Sequence, residues 1–298
     1  MRIGTVFSQA DSGTDPAAIR AWATVAEEAG FAHLIAYDHV LGADPALYPD
    51  GVGNFPAPPY THEHVFHEIF VLFSHLAAVT TSLELVTSVL VLPQRQTALV
   101  AKQAATLDLL SGGRLRLAVG VGWNGAEYQG LGADFATRED RLEEQLAIMR
   151  RLWTEPLVSF DGRFHHLDRV GLNPRPTRLL PIWIGSGASP RVLRRVVRCA
   201  DGWMPLLIPG LDPVPLPDAV ARLRHFAEEE GRDPASLPIH GRVYLSDGWA
   251  REVEQALALG FSDLSVGFNR LREPGRPHAE HLERIVEAKA TLDRLVGA

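Results

Sequence analysis

The sequence predicts an α/β protein folded as a closed (β/α)8 barrel, a TIM barrel, and three observations carry that expectation. Strand-like and helix-like segments alternate along the whole 298-residue chain, eight of each. The strand-like runs are apolar on both faces, as in a parallel sheet covered by helices. A helix ending at a glycine-aromatic pair just before a short strand recurs as "EEAGFAHLI", "CADGWMPLL" and "LALGFSDLSV". Repeated βα units produce that grammar, because each strand starts close behind its helix. A doubly wound sheet would stop at five or six strands, and an α/β barrel uses about 250 residues as one unit.

The elements follow in order. "RIGTVFS" is the first strand; its helix has Asp15 as N-cap, Pro16 at the first helical position and Gly30 past its end. "HLIAYDHV" is the second strand. A Gly/Pro-rich stretch from Gly42 to Tyr60 follows, then a helix expected from about His62 to Val79. "LELVTSVLVL" leads into the helix "TALVAKQAATLDLL", closed by Gly112-Gly113. The fourth strand lies in "RLRLAVGVGWNGAEY", with its helix expected at Arg138 to Trp153. "PIWIGS" precedes a helix starting at Pro190, "GWMPLL" one from Asp218 to Glu230, and "IHGRVYLS" one from Arg251 to Leu259. "DLSVGF" precedes a C-terminal helix from about Ala279. A single domain over 1–298 is expected, with an insertion or lid at about 42–62.

Composition narrows the function. Lys+Arg number 29 against Asp+Glu 36, with no basic run, so no nucleic-acid partner is expected. The lone cysteine, Cys199, excludes an internal disulfide framework and reads as a core residue at a helix end. The strand-like start "MRIGTVFSQ" lacks a signal-peptide pattern and no apolar run approaches membrane-spanning length. A cytoplasmic protein without a membrane partner is the expectation.

Barrel active sites lie at the C-terminal strand ends, so those ends supply the candidates. Gly120-x-Gly122-x-x-Gly125 has the letters of a dinucleotide fingerprint, but Gly130 and Gly132 interrupt the helix that should follow, and no acidic residue closes a second strand. Asp38-His39 closes strand two: His39 is a proton donor or acceptor near neutral pH and Asp38 its orienting partner, or a loop cap. Thr87, Ser88 and Val89 offer small polar groups to a planar ligand or satisfy a bulge. Gly120 and Gly122, with Trp123, let a flat ring approach the backbone. Gly185, Ser186, Gly187 and Ala188 form a loop before a helix capped by Ser189 and Pro190, an anion site or an ordinary capped turn. In "THEHVFHE" a helix would place His64 and Glu68 one turn apart, yet both fall at the margin of its buried stripe, and no metal site is expected.

Asp38-His39, "VTSVLVLPQRQTALVAKQAATLDLLSGGRLRLAVGVGWNGAEY", "LPIWIGSGASPRVLRRVVRCADGW" and "ALGFSDLSV" together resemble the bacterial luciferase-like superfamily, in its branch of oxidoreductases using the deazaflavin coenzyme F420. The resemblance spans nearly the whole chain. It implies a cofactor ring in the barrel mouth, cradled by Thr87, Ser88 and Val89, with a non-proline cis peptide at Ser88–Val89. Gly120, Gly122 and Trp123 would touch the cofactor on another side, and Gly185 to Ala188 would hold its phosphate. His39 matches an active-site histidine of the family's F420-dependent dehydrogenases. The implied reaction is hydride transfer between F420 and a small organic substrate, with His39 exchanging the proton, Asp38 orienting it and the Gly42 to Tyr60 segment forming a lid. A monooxygenase using reduced FMN and a non-catalytic flavin-binding barrel are the alternatives. Relatives usually form homodimers. The family's alcohol and sugar-phosphate dehydrogenases often carry glutamate where this chain has Trp123, and many relatives carry a larger or acidic residue at Gly125.

Overall fold

The computed structural model describes residues 1–52, 55–207, 212–268 and 278–297, the side chains of 10 and 11 excepted. Residues 53 and 54 of the expected lid lie outside the described set. Eight parallel strands form the sheet: β1 Arg2–Val6, β2 His33–Ala36, β3 Glu84–Thr87, β4 Leu115–Gly120, β5 Ile182–Ser186, β6 Gly202–Pro205, β7 His240–Tyr244 and β8 Asp263–Gly267. They run in the order β7-β8-β1-β2-β3-β4-β5-β6. A parallel bridge between Trp203 and Ile239 draws β6 to β7, with Trp203 N–H donating to Pro238 O at 3.0 Å. The sheet is a nearly closed ring, which rules out the open dinucleotide-binding fold that the glycine pattern raised.

The helices form where capping chemistry and apolar spacing agree. Asp15 accepts from Ala17 N–H at the start of Pro16–Glu28, and Gly30 takes a φ of +80° just past its end. Thr97–Leu110 matches its expected bounds; Ala101, Ala104 and Ala105 let it sit close to the sheet, and Gly112 and Gly113 end it at positive φ. Arg138–Thr154, Pro190–Cys199, Leu216–Glu229, Trp249–Ala258 and His278–Val296 occupy the other expected places. Cys199 ends its helix and packs, half-buried, on the core.

Two local expectations are corrected and one hairpin is added. The helix expected from His62 runs only over Ile69–Ala77, because Glu68 accepts from Val71 N–H at 2.9 Å as its N-cap. His64 and Glu68 therefore do not share a helical face. A short helix, Gly125–Gly130, does follow β4 despite its glycines, since Asn124 accepts from the N–H groups of Ala126 and Glu127. The stretch before β5 holds an antiparallel hairpin of Val158–Asp161 and His166–Val170, beyond the eight expected strands.

The main core lies between sheet and helices. A smaller one fills the ring with Val6, Ile35, Val86, Ala118, Trp183 and Met204. Below it, at the N-terminal ends of the strands, His33, His240 and Ser265 meet: the histidine Nε2 atoms are 3.1 Å apart and lie 2.9 Å and 2.8 Å from Ser265 Oγ. Arg116 joins Glu84 and Asp263 beside them and lies over Trp183. This polar layer plugs the floor of the barrel.

Candidate functional site

The chain turns alternately inward and outward after β2, and that alternation sorts Tyr37, Asp38 and His39. Asp38 is buried and does not orient His39. Its carboxylate accepts from Arg95 at 2.6 and 3.2 Å and from Val91 N–H at 3.0 Å. Arg95 also pairs with Glu68 at 3.0 Å. Asp38 thus pins the segment that continues β3, where Leu90–Val91 pairs with β4.

The carboxylate that faces His39 is Glu127, on the short helix after β4. His39 Nδ1 lies 3.6 Å from Glu127 Oε2. Glu127 also accepts from the N–H groups of Val40 and Leu41 and from the Tyr60 hydroxyl at 3.3 Å. Burial alone would push its carboxyl up; the His39 ring and these amides outweigh burial and hold it below the ordinary carboxylate range. Asn124 donates to Tyr60 Oη at 2.8 Å and accepts from Tyr48 Oη at 2.9 Å, tying the 42–60 segment to β4. The His39 ring lies 3.8 Å from that of Tyr60 and 4.9 Å from that of Phe66. Trp123 joins this aromatic wall, 5.2 Å from Tyr60 and 6.5 Å from His39. With Nδ1 turned to Glu127, Nε2 is the nitrogen directed away from that carboxylate; the His39 side chain is 18% exposed.

Across the mouth, the peptide between Ser88 and Val89 is cis, at the place the resemblance implied. The Thr87 hydroxyl does not serve the mouth, because it donates to Ala118 O at 2.7 Å and accepts from Ala118 N–H at 2.9 Å. Ser88 Oγ donates to Met204 Sδ at 3.3 Å. Val89, half-buried, is what this segment presents. The space that Gly120 opens, which the sequence offers to a flat ring, is occupied by Val89: a Cβ on Gly120 would meet its Cγ2 at 2.6 Å, and one on Gly185, in the expected anion loop, its Cγ1 at 2.2 Å. Gly122, at φ +64°, is filled likewise by Val91, 2.6 Å away.

The loop after β5 differs. A Cβ on Gly187 would meet nothing within 4 Å, while Ala188 is buried and Ser186 Oγ accepts from Trp203 Nε1 at 3.1 Å. The loop runs into the Pro190–Cys199 helix, whose N-cap Ser189 makes no side-chain capping bond. Free N–H groups, the positive helix end and open space fit a phosphate. Exposed Arg191 and half-buried Arg194, on the helix that follows, are ion-paired with Asp140 and Glu229. The half-buried Val89, the aromatic wall and the open Gly187 loop suit a flat ring with an anionic tail. Sequence reasoning missed Glu127, Tyr60, Asn124 and Phe66.

A sequence profile of the luciferase-like monooxygenases matches residues 1–295. The chain belongs to that family. An uncharacterized protein of Mycobacterium tuberculosis is 36% identical over 268 residues, 88% of each chain. Among solved luciferase-like folds, an F420-dependent secondary alcohol dehydrogenase in complex with an F420-acetone adduct superposes with a TM-score of 0.75 at 18% identity, covering 96% of this chain and 97% of that one. A riboflavin lyase with modified FMN and riboflavin gives 0.67 at 17% identity, over 87% of this chain and 66% of that one. Luciferase-like enzymes are oxidoreductases and monooxygenases, and the neighbours of this one include users of F420 and of FMN. No helix among the described residues is long and apolar enough to cross a membrane.

Proposed function

We propose that this luciferase-like enzyme transfers a hydride between F420 and a small organic substrate, with His39 as the group that exchanges the accompanying proton. The observation that carries the reading is His39 in the barrel mouth, its Nδ1 turned to buried Glu127 at 3.6 Å and its ring held against Tyr60. Bound F420 supplies a two-electron hydride carrier at its C5 carbon. The protein supplies position, water exclusion and the proton.

Each residue then has a task. His39 Nε2 takes the proton from a substrate hydroxyl as hydride leaves the adjoining carbon, or returns it when the reaction runs toward alcohol. Glu127 fixes the ring through Nδ1 and stabilises the imidazolium when His39 holds the proton. Val89 and the Ser88 backbone, anchored through Asp38 and Arg95, give a flat surface for the ring. Gly187, Ala188 and the N-terminus of Pro190–Cys199 hold the phosphate. Tyr48 and Tyr60, tied to Asn124, cover the His39 side of the mouth as parts of a lid. The F420-dependent alcohol dehydrogenase among the fold neighbours supports this reading; the FMN-bearing lyase keeps the reduced-FMN monooxygenase as the second one.

The test is a pair of fluorescence titrations of the purified protein with F420 and with reduced FMN. Micromolar binding of F420 with weaker binding of reduced FMN is expected. Micromolar reduced FMN binding with none for F420 reverses the reading. Unchanged turnover in His39→Ala removes the proton role from His39, and cofactor binding without turnover in wild type leaves a non-catalytic cofactor barrel.

A further inference from the structure

Among the described residues, Arg116, Arg95 and Arg195 have carboxylates beside them, and Arg114 and Arg232 donate to backbone carbonyls; Arg242, inside the ring, does neither. Arg116 has Glu84 and Asp263, Arg95 has Asp38 and Glu68, and Arg195 has Glu139 and Glu143. Arg242, third residue of β7, has no carboxylate within 4 Å among the described residues. Its NH1 donates to Tyr37 Oη at 3.3 Å, and its guanidinium lies 5.5 and 5.3 Å from the ring centroids of Tyr37 and Tyr244. Above the Arg116, Glu84 and Asp263 floor, the apolar side chains in the ring are Val6, Ile35, Val86, Ala118, Trp183 and Met204, and none offers Arg242 a counter-charge.

A guanidinium stays charged, and burying it without a counter-charge is unfavourable unless an anion completes the pair. The carboxylates of the mouth are not available to it, since Asp38 is held by Arg95, and Glu127 by His39 and two amides. Tyr37 directly precedes Asp38-His39, and Tyr244 ends its strand, so both phenols stand at the level where the mouth begins. All three residues are half-buried rather than sealed. A planar fork flanked by two phenols matches a carboxylate, which accepts two parallel N–H bonds and further O–H bonds.

We propose that Arg242, with Tyr37 and Tyr244, is a carboxylate-binding subsite at the base of the mouth, and that the substrate is an organic acid anion. The assignment rests on the reading that the mouth holds a redox cofactor and its substrate. The same positive charge could instead face the anionic ring of a reduced cofactor, and the experiment separates the two sources.

Benzoate and its neutral isostere benzamide are titrated into the cofactor-free protein at fixed ionic strength, following intrinsic fluorescence and Tm, in wild type, Arg242→Gln and Arg242→Lys. Benzoate is expected to bind at least tenfold more tightly than benzamide in wild type. That preference is lost in Arg242→Gln and partly kept in Arg242→Lys, which retains the charge and serves as the control if the glutamine variant folds poorly. Equal binding of benzoate and benzamide, or a preference unchanged in Arg242→Gln, overturns the proposal. So does Arg242→Gln weakening the reduced cofactor tenfold while leaving benzoate binding intact, which assigns the charge to the cofactor. Because benzoate is tested without cofactor, a failure of F420 to bind counts against the proposed function and not against this subsite.

Discussion

His39 Nδ1 faces Glu127 Oε2 at 3.6 Å, although His39 lies on the loop after β2 and Glu127 on the short helix after β4. Glu127 is fixed by Val40, Leu41 and Tyr60, so the imidazole is positioned by a carboxylate that is itself immobile. His39→Ala is expected to lower turnover by about a hundredfold or more. Glu127→Gln keeps the amide contacts but loses the charge, and is expected to cost about tenfold in kcat with cofactor affinity unchanged. Steady-state kinetics with parallel F420 titrations check this; a loss confined to F420 affinity would place both residues in binding alone.

Asp38 acts on the wall rather than on His39. Asp38→Asn leaves Arg95 short of one buried partner, and breaking such a pair costs about 3 kcal/mol. Urea denaturation is expected to show that loss, with F420 binding weakened because the Ser88 to Gln94 segment is freed. A drop in kcat at wild-type stability would return Asp38 to the orienting role.

The contact between Gly185 and Val89 gives a packing test. Gly185→Ala puts a methyl 2.2 Å from Val89 Cγ1, and such overpacking costs about 1–3 kcal/mol. Val89→Ala in the same chain is expected to recover most of that loss, so the pair is strongly non-additive. Additive losses in a double-mutant cycle would show that the methyl is accommodated elsewhere.

The floor of the barrel sets an acid limit. Burial, with Arg116 next, holds His240 down at about 3, and burial with His240 beside it holds His33 well below its ordinary value. Below pH 6.5 the unfolded chain takes up protons that the folded chain refuses, so stability falls as pH drops from about 6.5 toward 3. Each histidine contributes a slope of about 1.4 kcal/mol per pH unit. Above pH 6.5 both states are neutral and the term vanishes. His240→Gln is expected to shrink the difference between urea melts at pH 5.0 and 7.5; an unchanged difference would mean the floor does not titrate this way.

The barrel was legible because local signals agreed with the final packing. Thr97–Leu110 announced itself by its small residues and the Gly112-Gly113 stop, and Asp15 and Pro16 by capping chemistry. His39 was legible by position at a strand end. Glu127 was not, because its value depends on meeting Val40 and Leu41 more than eighty positions earlier in sequence, and because the glycines around it masked a helix that Asn124 caps. Gly120 in the sequence suggests bare backbone and Gly185 an anion loop, whereas Val89, brought in just after β3, fills the space beside both. Arg242 and Tyr244 alternate with His240 on one face of β7, a polar inward face that period-two reading could have flagged in "HGRVY".

The most direct test of the central claim is a crystal structure of the protein soaked with F420. The ring is expected in the mouth against Val89 within reach of His39, with its phosphate at Gly187 and the N-terminus of Pro190–Cys199. Density for F420 elsewhere, or a mouth that takes FMN and refuses F420 under the same soak, would contradict it.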